Sequence, residues 1–407
     1  MEHLQVPQFF GLLVVLFAAA KLLGALAQGI GQPAVLGELL AGIALGTSVL
    51  GLLDAENEVF HLLAELGVAI LLFEIGLETD LRRLLQVGGA ASVVAVVGVV
   101  LPFALGYGAC WLLGLSNLVA VVAGASLTAT SVGITARVLS DLGRLQQQES
   151  QVILGAAVLD DIIGLVILSV VAGLTEGQEI TVGTVTKTTG IAFGFVVAAL
   201  LVGSGLIPPL MRRLAKATFA PGTLTMLSLM LALGMAWLAS LAGSATIIGA
   251  FAAGLLLGRT EQGQDIRKGV VQLGHFFVPI FFVMVGTAVD VRLLNPFHAA
   301  NQQVLFLAGL LVVVAVVGKF LAGYAPIWFR GRKSVIGVGM VPRGEVGLIF
   351  AQMGLSTGAL DPGIFSAIML MVMVTTLMTP PLLKHLLTRV PGAEPPPRLE
   401  DVQELVS

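Results

Sequence analysis

Residues 37–46 read GELLAGIALG, and residues 249–258 read GAFAAGLLLG. Gly37, Ala41, Gly42, Leu45 and Gly46 return as Gly249, Ala253, Gly254, Leu257 and Gly258 at one constant offset. Downstream, residues 66–80 (LGVAILLFEIGLETD) are echoed by residues 273–290 (LGHFFVPIFFVMVGTAVD), with Gly76 and Asp80 aligning on Gly286 and Asp290. A chance likeness between Gly-rich apolar segments would not keep its offset through two segments and the turn between them. The chain therefore reads as two related halves.

Those halves are built for lipid. Of 407 residues, 57% are hydrophobic and only 11% charged, against roughly a quarter charged in an ordinary soluble domain. The 50 glycines suit close packing of membrane helices, and the apolar runs are too long for the alternating strands of a membrane barrel. Cutting the chain at charged and Gly/Pro-rich breaks gives thirteen candidate spans: 8–27, 34–50, 59–78, 87–113, 117–139, 150–173, 187–209, 223–242, 244–259, 270–289, 303–325, 334–355 and 364–387. A full crossing takes about 20 apolar residues, so the second and ninth are the weakest as complete spans. The first follows an acidic start without a basic n-region, so it reads as a span and not as a cleaved signal.

Basic residues cluster after the odd-numbered spans: Arg82 and Arg83, Arg137 and Arg144, Arg212, Arg213 and Lys216, Arg259, Arg267 and Lys268, then Arg330, Arg332 and Lys333. Arg292 is the exception. The positive-inside rule puts these loops in the cytoplasm, the N-terminus outside and the C-terminus inside. Span 2 corresponds to span 9 and span 3 to span 10. That odd shift makes the two halves run in opposite directions, an arrangement found in alternating-access transporters. A net charge of −3 without a basic domain excludes nucleic acid as a partner, and the single Cys110 excludes an intrachain disulfide.

The sharpest chemical signal is LGAAVLDDIIGLVILSV (154–170), which sets Asp160 and Asp161 midway along span 6. Intramembrane acids are functional by default. Two carboxylates this close resist double ionisation, so an arriving cation exchanges with protons. Lys319, in LVVVAVVGKFLAGY (311–324), either snorkels to the near end of its span, about 9 Å away, or pairs with Asp160 when no cation is bound. Span 12 carries GVGMVPRGEVGLIF (337–350), where Pro342 among four glycines predicts an unwound middle. Span 5 carries ASLTATSVG (125–133), and Thr130 stands at the repeat offset from Pro342. The hydroxyls of Thr128, Thr130 and Ser131 either bond back to their own turn or, with unwound carbonyls, offer oxygen ligands to a hard cation. Opposed half-helix ends at two such breaks call for charged partners, for which Arg343 and Glu345 are at hand. Glu38 and Glu74 are further intramembrane acids and candidates for a pathway; Glu74 reads as reaching either the outer half of that pathway or the headgroups.

The motifs QPAVLGELLAG (32–42), TATSVGITARVL (128–139), LGAAVLDDIIGL (154–165), GK (318–319) and PRGEVGL (342–348) together resemble those of monovalent cation/proton antiporters of the CPA2 superfamily, in the NapA-like bacterial sodium/proton branch. The resemblance runs over residues 8–390 and implies an all-α polytopic protein of the NhaA-like fold. That fold has 13 transmembrane helices and inverted repeats whose two discontinuous helices cross. It implies a homodimer in the bacterial inner membrane. Residues 1–86 would hold dimerisation helices 1–3, residues 87–180 core helices 4–6, residues 181–300 a linking helix 7 and dimerisation helices 8–10, residues 301–390 core helices 11–13, and residues 391–407 a short cytoplasmic tail. It places the cation- and proton-binding carboxylate on Asp161, and a second on Asp160, paired with Lys319. It also sets Thr130 near the crossing and assigns Arg343 with Glu345 to the unwound region. Double-aspartate members are electrogenic exchangers of Na+ or Li+ for H+. No cofactor is implied, only the transported ions. Branch members usually carry an apolar residue where this chain has Glu74. Potassium-efflux relatives append a nucleotide-binding regulatory domain, which the short tail leaves no room for; K+/H+ exchange stays open as an alternative, and a passive cation channel, which would need a continuous polar lining, is the more distant one. No nucleophile–base pair or metal-ligand spacing supports an enzyme.

Overall fold

The computed structural model describes residues 6–54, 57–79, 81–175, 222–242, 246–289, 291–294 and 299–388, with a set of residues between 190 and 213. Predicted span 7 and the basic residues Arg212 and Lys216 fall largely or wholly outside them, as do Asp80 and Asp290 of the repeat. Every described regular element is helical: α1 (Val6–Gly29), α2 (Ala34–Leu45), α3 (Glu58–Glu78), α4 (Leu81–Gln86), α5 (Gly88–Leu112), α6 (Asn117–Ser126), α7 (Val132–Asp141), α8 (Gln148–Thr175), α9 (Thr223–Leu241), α10 (Thr246–Leu257), α11 (Gly263–Thr287), a 3-10 turn (Val291–Leu294), α12 (Ala299–Ala322), α13 (Lys333–Gly339), α14 (Glu345–Ser356) and α15 (Pro362–Thr388). Seven of the described helices are long and apolar enough to cross a membrane: α1, α3, α5, α9, α11, α12 and α15.

Local chemistry fixes several ends. Asn57 Oδ1 accepts from the N–H groups of Val59 and Phe60 at 3.1 and 3.3 Å and so caps α3. Ser116 Oγ does the same for α6 through Val119 N. The predicted span 34–50 ends early: α2 stops at Leu45 because Gly46 turns the chain into an extended conformation. Its 12 residues, like the 12 of α10, reach only about 18 Å, well short of a hydrocarbon core of about 30 Å.

The helices pack in two groups. In one, α3 lies against α10 and α11, α2 against α1 and α11, and α9 against α10; in the other, α5 contacts α6, α8 and α12, α12 contacts α15, and α14 contacts α6 and α15. Helix α4 leads from the first group into the second.

The two halves make the same backbone contacts. Gly37 rests on the Leu23–Gly24 backbone of α1, and its counterpart Gly249 rests on Met235–Ala236 of α9. Gly42 abuts the Val283 carbonyl and Gly286 on α11, while Gly254 abuts the Phe73 carbonyl and Gly76 on α3. The pairing repeats one turn on, where Gly46 meets Thr287 and Gly258 meets Leu77. A Cβ at Gly42 would stand 2.7 Å from Gly286 Cα, and one at Gly254 would stand 2.7 Å from Gly76 Cα, so a side chain there must pry two backbones apart. Gly42→Val and Gly254→Val are each expected to destabilise the protein by about 3 kcal/mol, at the upper end for overpacking. Gly11→Val, at a site with nothing within 4 Å, is the matched control. Thermal unfolding in detergent reads all three; equal stability of the three variants would contradict the close packing.

Candidate functional site

Helix α6 ends at Ser126 and α7 starts at Val132; α13 ends at Gly339 and α14 starts at Glu345. The breaks lie at repeat-equivalent positions and touch, since Ser131 N–H donates to the Pro342 carbonyl at 2.8 Å. The hydroxyls of Thr130 and Thr135 donate to the carbonyls of Met340 (3.3 Å) and Gly339 (2.6 Å) at the end of α13. The orphan carbonyls of one broken helix thus find donors on the other.

Arg343 serves the opposite end. Its side chain is fully buried. Nη1 donates to the carbonyls of Ala129 (3.0 Å) and Thr128 (3.4 Å), and Nη2 to that of Ala315 on α12 (3.3 Å). A cation is favourable at a helix C-terminus, and here it sits just past the end of α6. Thr376 of α15 donates its hydroxyl to the Arg343 carbonyl. Glu345 is the first residue of α14; its side chain lies outside the described residues, and with it the expected part of Glu345 in compensating the break.

Against the crossing stand α8 and α12. Asp160 is fully buried and Asp161 is 4% exposed. Lys319 Nζ lies 3.0 and 3.2 Å from the two carboxylate oxygens of Asp160, and both partners are 0% exposed. Lys319 therefore does not snorkel. Its chain runs along α5 at Gly98, where a Cβ would stand 3.3 Å from Nζ. Such a pair, cut off from water, is held by mutual attraction against a desolvation cost of several kcal/mol per ion.

The hydroxyls of the α6–α7 break divide. Thr128 Oγ1 donates back to the Ala125 carbonyl at 2.7 Å and is occupied within its own turn. Ser131 Oγ is buried with no hydrogen-bond partner among the described residues and faces Gly344.

Glu38 and Glu74 belong to a different group. Glu38 on α2 is 5% exposed, and its Oε2 has no hydrogen-bond partner among the described residues. Both acids interact with the charge of Arg137 on α7, which pairs with Asp141 one turn away at 3.0 Å. Glu74 lies beside Gly274 of α11, one turn before Glu78. Glu78 in turn pairs with Arg267, and Gln146 donates to its carbonyl. Glu74 thus stands near the end of α3 that leads into the arginine-bearing α3–α5 connection. Reading Arg137 only as a loop charge missed this group, although its place inside 117–139 and the i,i+4 spacing to Asp141 were the available signal.

Residues 12–389 match the transmembrane sodium/hydrogen exchanger family. Among characterised relatives, the high-affinity Na(+)/H(+) antiporter NhaS3 of Synechocystis sp. is 42% identical over 408 residues, covering 91% of this chain and 88% of that protein. The Na(+)/H(+)-K(+) antiporter GerN of Bacillus cereus is 35% identical, covering 93% and 96%. Among solved structures, the sodium proton antiporter MjNhaP1 of Methanocaldococcus jannaschii superposes with a TM-score of 0.67 at 18% identity, over 92% of this chain and 96% of that one. At that identity the match speaks to the fold alone.

Proposed function

The chain belongs to the sodium/hydrogen exchanger family, and we propose that it is a secondary active antiporter exchanging Na+ or Li+ for H+ across the bacterial inner membrane by alternating access. It is a transporter and not an enzyme. The observation that carries the mechanism is the Asp160–Lys319 pair, sealed from solvent next to Asp161 and to two touching helix breaks. Carboxylates so placed hold either a cation or protons. When a cation reaches Asp161 and Asp160, the Asp161 carboxyl releases one proton, and Lys319, losing its partner, sheds a second. When the cation leaves, protons and the ion pair return. Thr130 supplies an oxygen of the kind a hard cation takes, while Arg343, held on the Thr128 and Ala129 carbonyls, offsets the negative pole at the end of α6. Two protons against one Na+ moves one net charge per cycle, so the exchange is electrogenic.

The fold in this reading has thirteen membrane helices with inverted repeats, the N-terminus outside and the C-terminus in the cytoplasm. Helices α5–α8 and α12–α15 form the moving core, and α1–α3 with α9–α11 form the group that dimerises. The exposed apolar faces of α1 and α9, with Val14 at 68% and Trp237 at 63% exposure, give area for lipid and for a second copy.

The test is proton flux in proteoliposomes after a step in external Na+, Li+ or K+, with the membrane potential clamped or free. Flux driven by Na+ and sensitive to potential is expected. Flux driven by K+ alone would move the substrate to potassium, the ion that the name of the Bacillus cereus relative also contains. No coupled flux with any of the three would end the antiporter reading.

A further inference from the structure

An open cleft of about 470 Å³ lies where the α3–α5, α7–α8 and α12–α13 connections meet. Arg83, Arg330, Gln146 and Gln151 line it together with Trp328 and Phe329, and no carboxylate is among its described lining residues. The N-terminus of α5 opens into it. Gly89 and Ala90 are part of the lining, Val87 at the N-cap offers no side-chain hydrogen bond, and the space over Gly88 and Gly89 is empty. The first N–H groups of this 25-residue helix have no intrahelical acceptor and carry its positive pole. Gln151 is fully buried. Its Nε2 donates to the Leu145 carbonyl at 2.7 Å, while its Oε1 has no partner among the described residues. Arg83 donates to the Gln146 carbonyl at 3.1 Å, which ties its guanidinium to the α7–α8 connection. Beside the cleft, Ile327 (83% exposed) and Trp328 (61% exposed) form an apolar shelf.

We propose that this cleft binds an anionic phospholipid headgroup, a phosphodiester bearing a hydroxyl or ammonium donor. The phosphate meets the α5 N–H groups and the two guanidiniums, the headgroup donor meets Gln151 Oε1, and the acyl chains cross the shelf at Ile327 and Trp328. Basic pockets between membrane helices recognise lipid headgroups in this way, and a tryptophan at the shelf matches the headgroup level. The apolar shelf favours lipid over a soluble phosphate. Because α4 joins the two helix groups, an occupied cleft fastens that joint to the core. The site does not depend on which ions the protein exchanges.

The test measures melting temperature of the purified full chain in detergent. The ligands are phosphatidylglycerol, phosphatidylcholine (which has a phosphate but no donor), glycerol phosphate and inorganic phosphate. Wild type is compared with Arg83→Gln/Arg330→Gln and with Arg330→Gln alone, whose exposed position guards against a folding defect. Phosphatidylglycerol should raise the melting temperature of wild type more than phosphatidylcholine does. Each arginine removed should raise the lipid concentration needed by roughly fivefold. An arginine-dependent shift with inorganic phosphate or glycerol phosphate alone would keep the phosphate site and overturn the lipid. Equal shifts in wild type and both variants, or none with any ligand, would overturn the site.

Discussion

Asp161→Asn should abolish sodium-coupled proton flux and leave a folded protein. The amide keeps the shape of the carboxylate but holds neither a charge for the cation nor a proton to trade. Two unit charges 4 Å apart at an effective dielectric of 20 attract by about 4 kcal/mol, so losing one corresponds to roughly a thousandfold in cation affinity. At 4% exposure the amide fills the space of the protonated carboxyl without changing its volume, so the thermal stability in detergent should hold. That combination, intact melting with lost flux, separates a functional defect from misfolding. Wild-type coupling in Asp161→Asn would remove this residue from the shared site.

Lys319→Ala should unsettle the protein far more than its size suggests. It strands Asp160 at 0% exposure without its 3.0 Å partner, and breaking a buried pair from one side costs about 3–5 kcal/mol. Lower melting temperature and poor recovery from detergent extraction are expected. Adding Asp160→Asn to the same chain should restore most of the loss, because removing both charges of a buried pair is often neutral or stabilising. The double-mutant cycle isolates the coupling. Additive effects of the two substitutions would mean that the pair carries no energy of its own.

Sequence alone located the break at 127–131 indirectly. Nothing there is a proline or glycine; the position followed from Pro342 carried across the repeat offset. The Asp160–Lys319 pairing was one of two readings, since a lysine three residues from the end of α12 can equally snorkel. Contact with α5 at Gly98 decides it, and no local pattern encodes that contact. The role of Arg343 was half legible. Its charge beside a break suggested neutralisation, but its target is the end of the other broken helix, 214 and 215 residues away. Side-chain direction across a crossing is a tertiary property. Thr128 was open for the same reason, and its hydroxyl turned to its own helix. For Glu74 the sequence offered its like-charged neighbour Glu78 on the same helix face. Its nearness to Arg137 on α7 is a tertiary contact that no local pattern carries.

The bond from Arg343 back to Thr128 and Ala129 also sets an order on biogenesis. While the ribosome makes the intervening stretch, at about 5–20 residues per second, the first half waits on the order of ten to forty seconds. During that time the end of α6 lacks its cap, and Asp160 lacks a lysine that lies 159 residues downstream. Unsatisfied backbone groups in lipid cost several kcal/mol each. The nascent half must therefore stay hydrated, or held by the insertion machinery, until α12 and the α13–α14 segment arrive. Duplication has left neither copy self-sufficient: each half reaches its final form only as the other is delivered.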